Sequence, residues 1–178
     1  VPWIQYVAYC LSGKLVTEIS SMACQSHLLN IRDGGYSSLV KRMGWEPLFP
    51  PMAKAWETIG TLRGEFLGNG FRGRGNVLAG VHDSNANYLR YLAGGQKKFT
   101  LLSTGTWIIG FDTETGLASL IEERDTVSNT DVFGNRVGSG RFFGGREFEI
   151  VSGGASGDMA SLPAVQDLIA TATYALPS

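Results

Sequence analysis

Two short stretches of the sequence concentrate side chains able to move a proton or hold an anion: His82-Asp83-Ser84 and Ser103-Thr104-Gly105-Thr106. An ionised carboxylate at Asp83 can accept a hydroxyl proton, the task of a general base in phosphoryl transfer, where an enzyme mainly positions groups and neutralises charge. The same aspartate, lying before a helix, is equally a favoured N-cap for the first-turn amides. Replacement by Asn separates the roles, because a cap survives it with a loss of about 1 kcal/mol or less and a base does not. In the second stretch the hydroxyls of Ser103, Thr104 and Thr106 flank Gly105, whose missing Cβ lets an anion approach backbone amides. An ordinary hairpin uses the same residues, with Thr in the strands and Gly in the turn.

Both stretches need elements that hold them at strand ends, where open α/β sheets bind ligands. Residues 77–81 are apolar enough for a buried strand, and residues 85–93 place Ala86, Leu89, Leu92 and Ala93 on one helical face before Gly94-Gly95 ends the helix. Asp83 then lies at a strand-to-helix junction, near the positive helix end that favours its ionised form. Residues 99–103 and 106–111 are β-rich and joined through Thr104-Gly105, which predicts a tight hairpin with Gly at positive φ. Upstream, residues 2–11 form a helical pattern with Trp3, Val7, Cys10 and Leu11 recurring on its stripe and Gly13 as its stop. A second helix is predicted over 36–43, closed by Gly44, before the breaker Pro50-Pro51 and an extended run over 56–62. The Gly-rich segment 66–76, which contains Arg72 and Arg74, is predicted to be a loop or hairpin turn. Residues up to 156 after the hairpin look like loops between short elements, and 162–172 like one more helix.

Composition narrows the function. At 178 residues and 43% hydrophobic, the chain can bury a real core, and 15 Lys and Arg against 16 Asp and Glu leave no field to gather nucleic acid or an acidic membrane. The apolar start is too short to span a bilayer and lacks the basic beginning of a signal peptide. Cys10 and Cys24 have no CxxC or Cys/His partner pattern and are expected to be reduced core thiols of a cytoplasmic protein. His27 and His82, the only histidines, lack metal-ligand spacing, so no dedicated metal site is expected. Consecutive residues cannot form a hydrolase triad, which sets aside His82-Asp83-Ser84 as one. No GxxxxGK[ST] occurs, and no GxGxxG follows a strand. Arg141, Arg146, Glu147 and Glu149 around FFGG suggest a solvated surface with weak ion pairs.

The order of these segments resembles the FGGY carbohydrate kinases. CLSGKLVTE (10–18) is similar to that family's "LTG…TD" segment, SSMACQSHLLN (20–30) to its "SxAS…LLD" stretch, and FPPM to a Pro-containing connector. AGVHDSNANYLRYLAGG (79–95) resembles the "G-x-x-D-x-x-A" segment with the catalytic aspartate, and LLSTGTW (101–107) the phosphate-contacting hairpin that opens the second lobe. The resemblance implies an α/β protein of the actin-like ATPase (ribonuclease H-like) architecture. Residues 1–96 would close the first, sugar-binding lobe and residues 97–178 open the second, nucleotide-binding lobe. It implies Asp83 as the base that deprotonates the attacking sugar hydroxyl, Thr104, Gly105 and Thr106 as contacts to ATP phosphates, and His82 and Ser84 as sugar neighbours. ATP and Mg2+ are the implied cofactors, a small sugar the partner, and a homo-oligomer is compatible with it. The His-Asp pair with STGTW is most similar to kinases of ketoses such as L-rhamnulose and L-fuculose. The family's Asp-x-Gly-Thr phosphate loop and its upstream sugar-binding residues have no counterpart here, so the chain is expected to be an internal portion with little activity alone. A noncatalytic actin-like or sugar-binding module, with Asp83 as a cap, is the alternative, and a metal-dependent hydrolase a distant third.

Overall fold

In the computed structural model, residues 2–24, 26–68, 73 and 75–173 are described. Helix α1 (Trp3–Ser12) follows Pro2 and stops at Gly13, whose φ of 73° lets its N–H donate back to Tyr9 O at 2.7 Å. Its packed face differs from the expected stripe. Gln5 and Ala8 are buried, whereas Trp3 is 73% exposed and stacks on Tyr6. A polar residue takes the inner position because the Gln5 amide donates to the Ala79 carbonyl at 3.2 Å, in the segment that leads to Asp83.

Strand β1 (Thr17–Glu18) runs directly into helix α2 (Ile19–Ala23) and pairs in parallel with β2 (Met52–Ala53). Helix α3 (Ser38–Met43) lies between them, with Ser37 Oγ accepting from Val40 N and Gly44 closing it at φ 64°. Strands β3 (Thr58–Thr61) and β4 (Asn76–Leu78) form an antiparallel ribbon against α1. The expected strand over 77–81 ends at Leu78 because Gly80 turns the chain at φ 84°, and a Cβ there would stand 2.5 Å from Ile4 Cγ2. Arg72 and Arg74 of the Gly-rich segment lie outside the described residues.

Helix α4 (Asp83–Ala93) buries Ser84, Asn85 and Tyr88, whereas Ala86 and Ala93 of the expected face are exposed. The Tyr88 ring sets this rotation, packing 5.2 Å from Phe99 and 5.4 Å from Phe111. The expected division at 96/97 falls in the connection from α4 to β5 (Thr100–Thr104). Strands β5, β6 (Ile108–Asp112), β7 (Thr126–Thr130) and β8 (Arg136–Phe142) form one antiparallel sheet in the order β5-β6-β8-β7. Tyr88, Leu101, Phe111 and Val137 form its core against α4.

The segment expected to be mostly loops thus contains two strands, and helix α5 (Gly144–Ser152) follows them. Glycine hides β8 from a propensity reading: a Cβ at Gly138 would come within 2.7 Å of Thr115 Cβ, so close approach of the 113–116 turn displaces a strand-forming residue. Helix α6 (Leu162–Ala170) has Pro163 in its first turn and Ser161 Oγ accepting from Ala164 N. Among the described residues no helix is long and apolar enough to cross a membrane.

Candidate active site

A cleft of about 400 Å³ lies between the start of α4 and the β5-β6 hairpin. His82, Asp83, Ser84, Ser103, Thr104, Gly105 and Thr106 all line it, together with Cys24, Trp107 and Ile109. Residues about twenty positions apart in sequence therefore face one space.

One wall is hung on buried hydrogen bonds. Glu18 is fully buried, and its carboxylate accepts from Ser20 N, Ser21 N and both serine hydroxyls at 2.7–3.1 Å, capping α2. Ser20 Oγ in turn accepts from His82 N at 3.2 Å, tying the Asp83 loop to that cap. Gln5 holds Ala79 from the other side, and Gly80 N donates to Ala55 O at 3.1 Å. The loop that delivers Asp83 is thus fixed before the helix starts.

Asp83 itself does not cap α4 in the usual way. An N-cap carboxylate accepts from amides two or three positions on; here Oδ1 accepts from the adjacent Ser84 N at 2.6 Å and lies 3.2 Å from His82 Nδ1. That histidine nitrogen is buried and makes no directed hydrogen bond, so its contact with Asp83 is one of proximity and not of alignment. Every contact falls on Oδ1. Oδ2 has no partner among the described residues, and the side chain is 89% exposed toward the cleft. A carboxylate tethered through one oxygen and open at the other can take a proton from a bound hydroxyl.

The other wall is the hairpin. Thr104 pairs with Ile108, so the tip is Gly105-Thr106-Trp107 and not a tight turn through Thr104-Gly105. Gly105 does not have the expected positive φ, because a three-residue tip spreads the reversal over more bonds. Trp107 packs against Phe143 in a tilted pair with centroids 4.5 Å apart, and the Arg141 guanidinium sits 5.7 Å over its ring while pairing with Asp125 at 3.2 Å. Of the expected mixed-charge surface, Arg146 and Glu149 form an exposed ion pair at 2.8 Å, whereas Arg141 braces the hairpin. Asn87 Nδ2 reaches Ser103 Oγ at 3.5 Å, a weak tie between the walls.

Cys24 was not anticipated in the cleft. It and Cys10 are free but only half-buried, so neither is a core thiol. Burial pushes the Cys24 thiol up to about 11, the Asp83 charge adds to the rise, and Arg141 opposes it. Trp107 and Ile109 also line the cleft, and only their adjacency to the STGT run could have signalled it. Among the described residues no group of three or more His, Cys, Asp or Glu could hold a metal ion.

Residues 96–178 match the family described as carbohydrate kinase FGGY, C-terminal domain. Its C-terminal part, residues 96–178, is an FGGY carbohydrate kinase C-terminal domain. A solved carbohydrate kinase from Novosphingobium aromaticivorans is 40% identical, with a TM-score of 0.71 over 83% of this chain and 34% of that one. A xylulose kinase from Rhodospirillum rubrum, 16% identical, superposes over 97% of this chain and 35% of its own with a TM-score of 0.59. A ligand-bound xylulose kinase from Lactobacillus acidophilus, 15% identical, does so over 94% and 34% with a TM-score of 0.65. No curated protein matches the chain. The chain has the actin-like ATPase fold of the sugar kinases, and it spans about a third of the length of these solved relatives.

Proposed function

We propose that these residues form part of the active site of an ATP-dependent ketose kinase, a cytoplasmic enzyme acting on a sugar such as L-fuculose or L-rhamnulose. The observation that carries this reading is the single cleft lined both by Asp83, one oxygen of which is open, and by Thr104, Gly105 and Thr106. Asp83 accepts the proton of the sugar hydroxyl that attacks the γ-phosphate of ATP. Ser84 and His82 orient the sugar beside it, and the Thr104-Gly105-Thr106 backbone and hydroxyls receive the phosphate oxygens. The residues suit a magnesium nucleotide: neutral hydroxyl and amide donors line the phosphate side and one carboxylate stands nearby, leaving most metal contacts to phosphate and water. Bound Mg2+ would supply charge neutralisation across the phosphates.

The test is phosphate transfer from ATP to a panel of ketoses and polyols by the full-length protein carrying these residues. Xylulose belongs in the panel because two solved relatives are xylulose kinases. Product formed with one or a few ketoses is expected, while the 178 residues alone turn over little or none. Sugar binding without phosphate transfer would instead favour a noncatalytic module.

A further inference from the structure

Gly105 lies at negative φ, and a Cβ added there would meet nothing nearer than Trp107 O at 3.7 Å, so alanine fits the hairpin tip. The glycine that the tip cannot do without lies elsewhere. At Gly145, in the first turn of α5, a Cβ would stand 1.9 Å from the Gly105 carbonyl oxygen, 2.8 Å from its carbon and 2.9 Å from Thr106 Cα. All three are backbone atoms, which cannot swing aside as a side-chain end can. At its neighbour Gly144 the three nearest atoms a Cβ would meet belong to the side chains of Phe142 and Ile108. Close approach of another backbone is the physical reason to find a glycine at 145.

We propose that Gly145 is a positioning residue for the phosphate-contacting tip: its missing side chain lets α5 back Gly105 and Thr106 directly, and so sets where the Thr104 and Thr106 hydroxyls stand relative to Asp83. This rests on reading the cleft as a sugar-kinase site. A Cβ at 145 forces the tip to withdraw from 1.9 Å toward the 3.4 Å of an ordinary contact. In a reaction governed by placement, a shift of about 1 Å can cost ~10²-fold.

Hydrogen exchange and amide NMR on the 178-residue chain compare Gly145→Ala with Gly105→Ala. Gly145→Ala is expected to shift the amide resonances of residues 105–107 and to speed their exchange at least ~10-fold, with β7 and β8 unchanged. Gly105→Ala should leave the tip within about two-fold of wild type. In the full-length protein, tip exchange should slow on adding millimolar Mg-ATP, and in Gly145→Ala the affinity should fall at least ~10-fold. Tip exchange unaltered by Gly145→Ala, or altered equally by Gly105→Ala, would overturn the proposal. A full-length wild-type tip that ignores Mg-ATP contradicts the nucleotide reading of the cleft, while the exchange comparison still decides what Gly145 does. Should Gly145→Ala not fold, Phe143→Ala removes the adjacent ring under Trp107 without adding an atom; faster tip exchange then supports backing by this end of α5, and unchanged exchange overturns it.

Discussion

The two walls of the cleft are held by different forces. The Asp83 wall hangs on buried polar groups far apart in sequence, Gln5, Glu18 and Ser20, each bonded to backbone or hydroxyl groups. The hairpin wall is held by its strand ladder, by the Tyr88, Leu101, Phe111 and Val137 core, and by the tilted aromatic pair of Trp107 and Phe143. A hydrogen-bonded wall fixes direction, which suits the carboxylate proposed as the base; an apolar, close-packed wall fixes position, which suits the loop proposed to receive phosphate. Each wall should therefore fail in its own way.

The largest effect on folding is expected from Phe111→Ala, which empties the sheet core and should destabilise by about 3–5 kcal/mol in denaturant unfolding. A loss under about 1 kcal/mol would remove the core from the account of the hairpin wall. Glu18→Gln should cost about 2–3 kcal/mol, because one face of the buried carboxylate becomes a donor facing donors. It should also speed hydrogen exchange at residues 82–84 while the 105–107 tip keeps its wild-type rate. Equal loosening of both walls would show that they are one unit.

Cys24 reports on the interior between them. With its thiol pushed up to about 11, alkylation at pH 8 should run on the order of 10²-fold slower than that of a free thiol and accelerate as pH rises toward that value. Reaction at the rate of free cysteine would place the residue in open solvent. The smallest effect concerns Asp112, whose carboxyl is held below its usual range by hydrogen bonds from the Thr115 and Thr100 hydroxyls. A lowered folded pKa contributes stability above the unfolded value of about 3.9 that is lost as pH falls through the folded one. Thr115→Val should therefore narrow the difference in Tm between pH 7 and pH 2, and an unchanged difference would contradict this.

What could be read from the sequence follows the same division. Asp83 and the STGTW hairpin were legible because each packs its chemistry into adjacent residues, and local pattern also gave α3 and the existence of α1, α4 and α6. Their supports were not legible. Gln5 reaches Ala79 and Ser20 reaches His82 across more than sixty residues, which no local periodicity encodes. The Trp3-Val7 stripe gave way to Gln5 and Ala8 because a backbone carbonyl needed a donor. Strand β8 is hidden in part by Gly138, which serves a close approach, and the STGT run points to Gly105 whereas the tight contact is made at Gly145. In both cases the neighbour that demands glycine comes from another element.

The most direct test of the central claim is the turnover of Asp83→Asn in the full-length protein, measured with the preferred ketose and ATP alongside ketose binding. The carboxylate is tethered through Oδ1 alone, so Asn should preserve the loop, keep ketose affinity within a few-fold and lower kcat by at least ~10²-fold. A folded Asp83→Asn enzyme that retains a third or more of wild-type kcat would contradict the assignment of Asp83 as the base.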